Sequence, residues 1–152
     1  MKLEGSYVIK ASKEEVWAAM NDPEVLRESI PGCESLEKIS DTEFTAVVKA
    51  KIGPVKATFA GNVQLENLNP PHSYTITGEG KGGLAGFASG SADVLLSGHP
   101  EGTELKYDVD AQVGGKIAQI GSRLVGGAAK KLSDKFFSRF AAVINGEEEN
   151  PE

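Results

Sequence analysis

The side chains able to do chemistry are few and widely spaced. Cys33 is the only cysteine, so no internal disulfide forms. It follows Pro31-Gly32 with no base nearby, and an idle thiol is expected there rather than an activated nucleophile. His72 and His99 each adjoin a proline in a turn, and no His/Cys/Asp/Glu spacing suggests a metal site. Asp108 and Asp110 point the same way from one strand but alternate with Lys106 on a polar face. That pattern means solvation rather than an acid/base pair. Gly78-Glu79-Gly80-Lys81-Gly82-Gly83 fits G-x-G-x-x-G, yet the residues after it alternate like a strand. A dinucleotide fingerprint must instead open a helix whose N–H groups meet the pyrophosphate, so it is rejected. Tyr7, Tyr74 and Tyr107 fall on apolar faces. Two readings stay open for them: core tyrosines with satisfied hydroxyls, or the few polar groups that orient a ligand. No nucleophile, base and orienter come together, so binding is favoured over catalysis.

The elements that must position these residues follow from periodicity. Lys2 to Lys10 alternates as a strand, with Leu3, Gly5, Tyr7 and Ile9 on one side. Ser12-Lys13-Glu14-Glu15 is a capping box that starts a short helix. Asp22-Pro23 starts a second, with Leu26 and Ile30 on its buried face, and Pro31-Gly32 ends it. The period then becomes two. Strands are expected at 35–40, 43–52, 55–66, 73–80, 87–97 and 104–113, separated by turn residues such as Gly53-Pro54, Pro70-Pro71 and His99-Pro100. Each strand has one apolar face, the pattern of an antiparallel meander. Gly78 to Gly90 is glycine-rich, and Leu84 and Phe87 within it suit a mobile lip over an apolar cavity.

Gly114 to Ile144 is predicted to be one long helix. Its apolar residues, Ile117, Ile120, Leu124, Ala128, Leu132, Phe136, Phe140 and Ile144, recur at three- and four-residue steps. Gly121, Gly126 and Gly127 each cost about 1 kcal/mol relative to Ala there. The strands also carry small inward residues, Ala46, Ala50, Ala57, Gly61, Ala88, Gly90, Ala92 and Ala111. Small residues on both walls mean either close packing or a void that a ligand fills. From Leu124 onward the stripe steps by four, so it drifts about 40° per step and the helix must cross the sheet obliquely or bend.

The 152 residues carry 39% apolar and 25% charged side chains and a net charge of -6. One sizeable core is therefore expected, and nucleic acid, which needs concentrated positive charge, is a poor main partner. Lys130, Lys131, Lys135 and Arg139 form a local basic stretch, read either as a solvated helix face or as a contact for an acidic partner or anionic lipid. There is no apolar run of signal-peptide or membrane-spanning length. Residues 1–145 are expected to form one domain, with 146–152 a short acidic disordered tail. A cytoplasmic location is expected, with peripheral contact at the inner face of the membrane left open.

Several motifs together carry a family resemblance: Asn21-Asp22-Pro23-Glu24-Val25-Leu26, Ile30-Pro31-Gly32-Cys33-Glu34-Ser35, Lys51-Ile52-Gly53-Pro54-Val55, the Gly78–Gly83 segment and Ala111-Gln112-Val113-Gly114-Gly115-Lys116. With the element order, they resemble the carbon monoxide dehydrogenase G-subunit family of the START-like (SRPBCC) superfamily, over about Met1 to Ala142. The resemblance implies an α+β helix-grip fold: a curled antiparallel sheet of about seven strands gripping a long C-terminal helix. It implies a cavity for an apolar ligand, isoprenoid quinone or a similar lipid, in the service of a carbon monoxide dehydrogenase or related molybdenum hydroxylase. Transient membrane contact is also implied. On this reading Ile117, Ile120, Gly121, Leu124 and Ala128 form the helix side of the cavity. Phe59, Ile76, Phe87, Ala92, Tyr107 and Val109 form the sheet side, with Tyr74 and Leu84 also among the ligand-binding residues. No metal and no covalent cofactor is expected. Two alternatives remain: an assembly or membrane-recruitment factor with no ligand, and an enzyme of unknown reaction on the same fold.

Overall fold

A computed structural model describes residues 1–146. The tail expected at 146–152 lies, past Gly146, outside the described residues. Strand β1 (Lys2–Ile9) leads into helices α1 (Lys13–Met20) and α2 (Pro23–Ser29). Six strands follow: β2 (Cys33–Ser40), β3 (Glu43–Ile52), β4 (Val55–Asn69), β5 (Ser73–Lys81), β6 (Phe87–His99) and β7 (Gly102–Gly114). A short α3 (Lys116–Gln119) and the long α4 (Ser122–Asn145) complete the chain. The strands form one antiparallel sheet in the order β1-β7-β6-β5-β4-β3-β2. The α+β helix-grip architecture that the resemblance implies is therefore present.

Local chemistry explains the helix starts. The Ser12 hydroxyl accepts the Glu15 N–H at 3.1 Å, and the Glu15 carboxylate accepts the Ser12 N–H at 3.4 Å. Asp22 accepts the Glu24 N–H at 2.9 Å, with Pro23 beside it in the first turn. Two otherwise unpaired helix ends are thereby satisfied, each at about 1 kcal/mol. The helices bury Val16, Ala19 and Met20 from α1 and Phe140 from α4 against Ile9, Phe44, Leu65, Val94, Leu96 and Leu105 of the sheet.

Two expectations are corrected. The C-terminal helix is not continuous from Gly114. It breaks at Ile120-Gly121, where Gly121 has φ +98° and ψ 145°. That backbone region is open essentially only to glycine. The break lets α3 tuck Ile117 fully into the interior before α4 sets off along the sheet. The glycine-rich segment is also mostly strand, not a long loop. Gly78 pairs with Gly90 and Gly80 with Ala88 in the β5–β6 ladder, which leaves only a 3-10 turn at Gly83–Ala85.

Candidate functional site

The period-two alternation of the strands, combined with their register, builds an apolar floor. Tyr74 of β5 stands opposite Val94 of β6, which stands opposite Tyr107 of β7. One step along, Leu65, Ile76, Ala92 and Val109 form a second transverse row across β4 to β7. Phe44 and Ala46 of β3 and Val63 of β4 extend the floor. Ser133, Phe136 and Phe137 of α4 roof it, while Met20, Leu26, Ile30 and Leu36 close one side. Together they line a cavity of about 290 Å³. That lies just below the ~300–1,000 Å³ of common small-molecule sites.

The lining is almost wholly apolar. Its polar side chains are the hydroxyls of Tyr74, Tyr107 and Ser133. The three chain tyrosines fare differently. Phe137 stacks on both Tyr7 and Tyr107, with ring centroids 4.4 and 5.6 Å away. The Tyr7 hydroxyl donates to the Asp134 carboxylate, which also accepts from Lys130 Nζ at 3.0 Å. Burial, then the bond to Asp134, pushes the Tyr7 hydroxyl well above the ordinary tyrosine range. The same bond, with that from Lys130, holds the Asp134 carboxyl below the usual carboxylate value. Tyr107 reaches toward this group: a Cβ placed on Gly5 would sit 2.6 Å from its hydroxyl oxygen. Tyr74 is only 3% exposed, with Trp17 edge-on at 5.1 Å. Its hydroxyl is buried and has no hydrogen-bond partner among the described residues.

Of the residues singled out from sequence, Tyr74, Ile76, Ala92, Tyr107 and Val109 meet on the cavity floor. The others lie elsewhere, for identifiable reasons. A Cβ on Gly82 would lie 2.5 Å from the Phe59 ring, and one on Gly114 would run into the Phe87 ring. The two aromatics thus lie against bare glycine backbone, Phe59 at the turn after β5 and Phe87 at the end of β7, and neither lines the cavity. Leu84 is 88% exposed at the 3-10 turn. Ile117 is buried in α3, and Ile120 packs toward the β3–β4 turn at Gly53. The break at Gly121 turns the start of α4 outward, leaving Leu124 56% exposed. Leu124 and Ala128 line a separate outer groove with Lys51, Arg123, Lys131 and Lys135. The roof therefore comes from the phenylalanine-bearing half of α4, not from its glycine-bearing half.

Sequence reasoning did not select Ser133, Phe136 and Phe137 or the wall from α1, α2 and β2. The four-residue drift of the α4 stripe held the signal, since it carries the apolar face onto the sheet only past Leu132. Other reactive groups stand apart from the cavity. The Cys33 thiol, raised above its ordinary value chiefly by burial, bonds the Ser35 carbonyl at 3.3 Å. His99 Nδ1 accepts the Glu101 N–H at 3.1 Å, and His72 Nδ1 lies 3.2 Å from Lys13 Nζ. Asp108 and Asp110 are exposed on the outer face of the sheet, as expected. Among the described residues no cluster of His, Cys, Asp and Glu could hold a metal ion. No described helix is long and apolar enough to cross a membrane, which leaves β-barrel spans unaddressed.

A curled antiparallel sheet closed over an apolar cavity by a long C-terminal helix defines a START-like helix-grip protein of the binding type. The chain belongs to the carbon monoxide dehydrogenase G-subunit (CoxG) family, whose model matches residues 5–145. A conserved protein from Geobacillus kaustophilus is similar in structure, with TM-score 0.90 and 35% identity over 96% of each chain. More distant likenesses show the fold alone. An uncharacterised protein from Rhizobium leguminosarum has TM-score 0.75 and 15% identity, over 97% of this chain and 95% of that one. A protein from Thermus thermophilus has TM-score 0.70 and 15% identity, over 96% of this chain and 98% of that one. Among curated proteins none matches the sequence.

Proposed function

We propose that the protein is a non-catalytic carrier that holds the apolar part of an isoprenoid quinone, or a similar lipid, in the cavity beneath α4. The observation that carries this reading is an apolar cavity of about 290 Å³ beneath α4 whose walls, among the described residues, offer hydroxyls but no carboxylate, imidazole or thiol. Such a lining binds by excluding water and has no group poised for proton transfer or nucleophilic attack. The volume suits a ring and a short stretch of tail, so a long isoprenoid chain would run out past the cavity walls. Membership of the CoxG family supports service to a carbon monoxide dehydrogenase or a related molybdenum hydroxylase, with the ligand exchanged between membrane and enzyme.

The test is native mass spectrometry of the purified protein before and after organic extraction, followed by titration with a short-chain quinone. Co-extraction of a quinone, or saturable binding with one site per chain, is the expected result. A chain that neither yields nor takes up any apolar compound refutes the proposal. A second reading, an assembly or recruitment factor, draws on the outer groove. There Leu124 sits among Lys51, Arg123, Lys131 and Lys135 on a protein of net charge -6. Cavity-filling variants that keep full enzyme maturation in cells would favour it.

A further inference from the structure

We infer that one end of the sheet, where the β3–β4 turn, the 3-10 turn at Gly83–Ala85 and the α3–α4 junction meet, is a docking surface for an anionic phospholipid bilayer. Its Lys and Arg side chains meet the headgroups, and Leu84 and Phe87 dip between them. This adds a membrane-facing surface to the carrier reading above and rests on that reading only for its purpose.

The strands alternate in direction, so the turn after β3, the turn after β5 and the exit from β7 fall at the same end. Close approaches join them. A Cβ on Gly53 would lie 3.3 Å from Ile120 Cδ1, and one on Gly86 would run into the Gly114 carbonyl. Residues 49–60, 81–90 and 111–133 carry three, one and four of the chain's 16 Lys and Arg, and none of its 22 Asp and Glu. All of these cations are exposed. Lys49 meets Glu34 at 3.9 Å and Lys130 meets Asp134 at 3.0 Å. Lys51, Lys56, Lys81, Lys116, Arg123 and Lys131 have no ion-pair partner among the described residues. A one-sign patch repels itself and gains only from an anion outside the chain. On a protein of net charge -6 it is a local exception.

Large apolar side chains stand out at the same end. Leu84 is 88% exposed, Phe87 50% and Leu124 56%. Apolar tips ringed by cations match the layering of a bilayer surface, with phosphates outside and acyl chains beneath. An acidic protein would need one shaped interface. Cations spread over three segments, with apolar residues protruding between them, instead suit a flat, fluid, anionic surface.

The experiment is flotation of the full chain with vesicles of phosphatidylcholine alone or mixed with phosphatidylglycerol, at low and high salt. Wild type is expected to float with the anionic vesicles only and to be released by salt. Lys81→Glu combined with Lys116→Glu should weaken that binding at least about tenfold. Lys10→Glu combined with Lys13→Glu makes the same change in net charge beyond Ile9, at the opposite end of the sheet. It should weaken binding less than about threefold. Leu84→Trp should move the emission spectrum to the blue when anionic vesicles are added. Thermal melts establish that each variant is folded. Equal loss in both double variants overturns the inference. So does failure of wild type to bind anionic vesicles, which would leave this end to an acidic protein partner. Unshifted emission from floated Leu84→Trp overturns the insertion of that turn. Neither Lys81 nor Lys116 lines the cavity, so their variants should keep full affinity for a short-chain quinone. Vesicle binding by a chain that takes up no quinone would overturn the carrier reading alone.

Discussion

Ala92→Leu distinguishes a real cavity from a tightly packed core by the sign of one number. Ala92 lies on β6 between Ile76 and Val109, in the middle of the cavity floor. The substitution adds three carbons. If they enter open apolar space, each contributes about 0.8 kcal/mol, a ceiling near ~2.4 kcal/mol. Restricting a leucine's rotamers takes back roughly 0.5–1 kcal/mol. The net gain is therefore about 1.5 kcal/mol, which for a chain of this size raises the melting temperature by roughly 3–6 °C. If the region were packed to ordinary interior density, the same carbons would force neighbours off their rotamers and cost about 1–3 kcal/mol. Differential scanning calorimetry on ligand-free protein measures the difference directly. A melting temperature several degrees below wild type would refute the cavity, and the carrier proposal with it. The same variant should lose most of its affinity for a short-chain quinone, because the new isobutyl group would occupy the space that the ring needs.

Tyr74→Phe in the absence of ligand removes an unpaired buried hydroxyl without changing the ring, so calorimetry should show unchanged or up to about 1 kcal/mol greater stability. A loss above about 1 kcal/mol would show that the hydroxyl already has a strong partner. Gly121→Phe adds a side chain at φ +98° in open space outside the cavity, so it should cost about 1–3 kcal/mol of stability and leave quinone affinity unchanged. Loss of binding in a folded Gly121→Phe would move the site toward the start of α4. Asp134 is ionised in its bonds to Tyr7 and Lys130, and its folded pKa lies below the ordinary 3.8. Its contribution is therefore fully present above that value and lost as pH falls through the lower folded one. The stability gap between wild type and Asp134→Asn should be constant from neutral pH to about 5 and close below about 4 in pH-dependent melts. A gap that persists unchanged at lower pH would contradict the pairing.

Local pattern in the chain is enough to set the elements and the faces they present. Alternation in β3 to β7 marks which side of each strand is buried, and Ser12 and Asp22 mark where α1 and α2 begin. Those signals are short-range: a capping oxygen reaches N–H groups two or three residues away, and a strand's two faces follow from its own geometry. Hence Tyr74, Ile76, Ala92, Tyr107 and Val109 were legible as candidates for the floor. Where along the sheet the void falls is a matter of tertiary packing. It depends on the break at Gly121, which turns Leu124 outward, and on Phe59 and Phe87 covering glycines of other segments. Packing also selects which tyrosine is left unpaired. Tyr7 meets Asp134 across 127 residues of chain, and Tyr74 meets no such group among the described residues. No pattern within a short window reports a contact of that range, because the partner is chosen by how α4 lies on the sheet and not by either residue's neighbours.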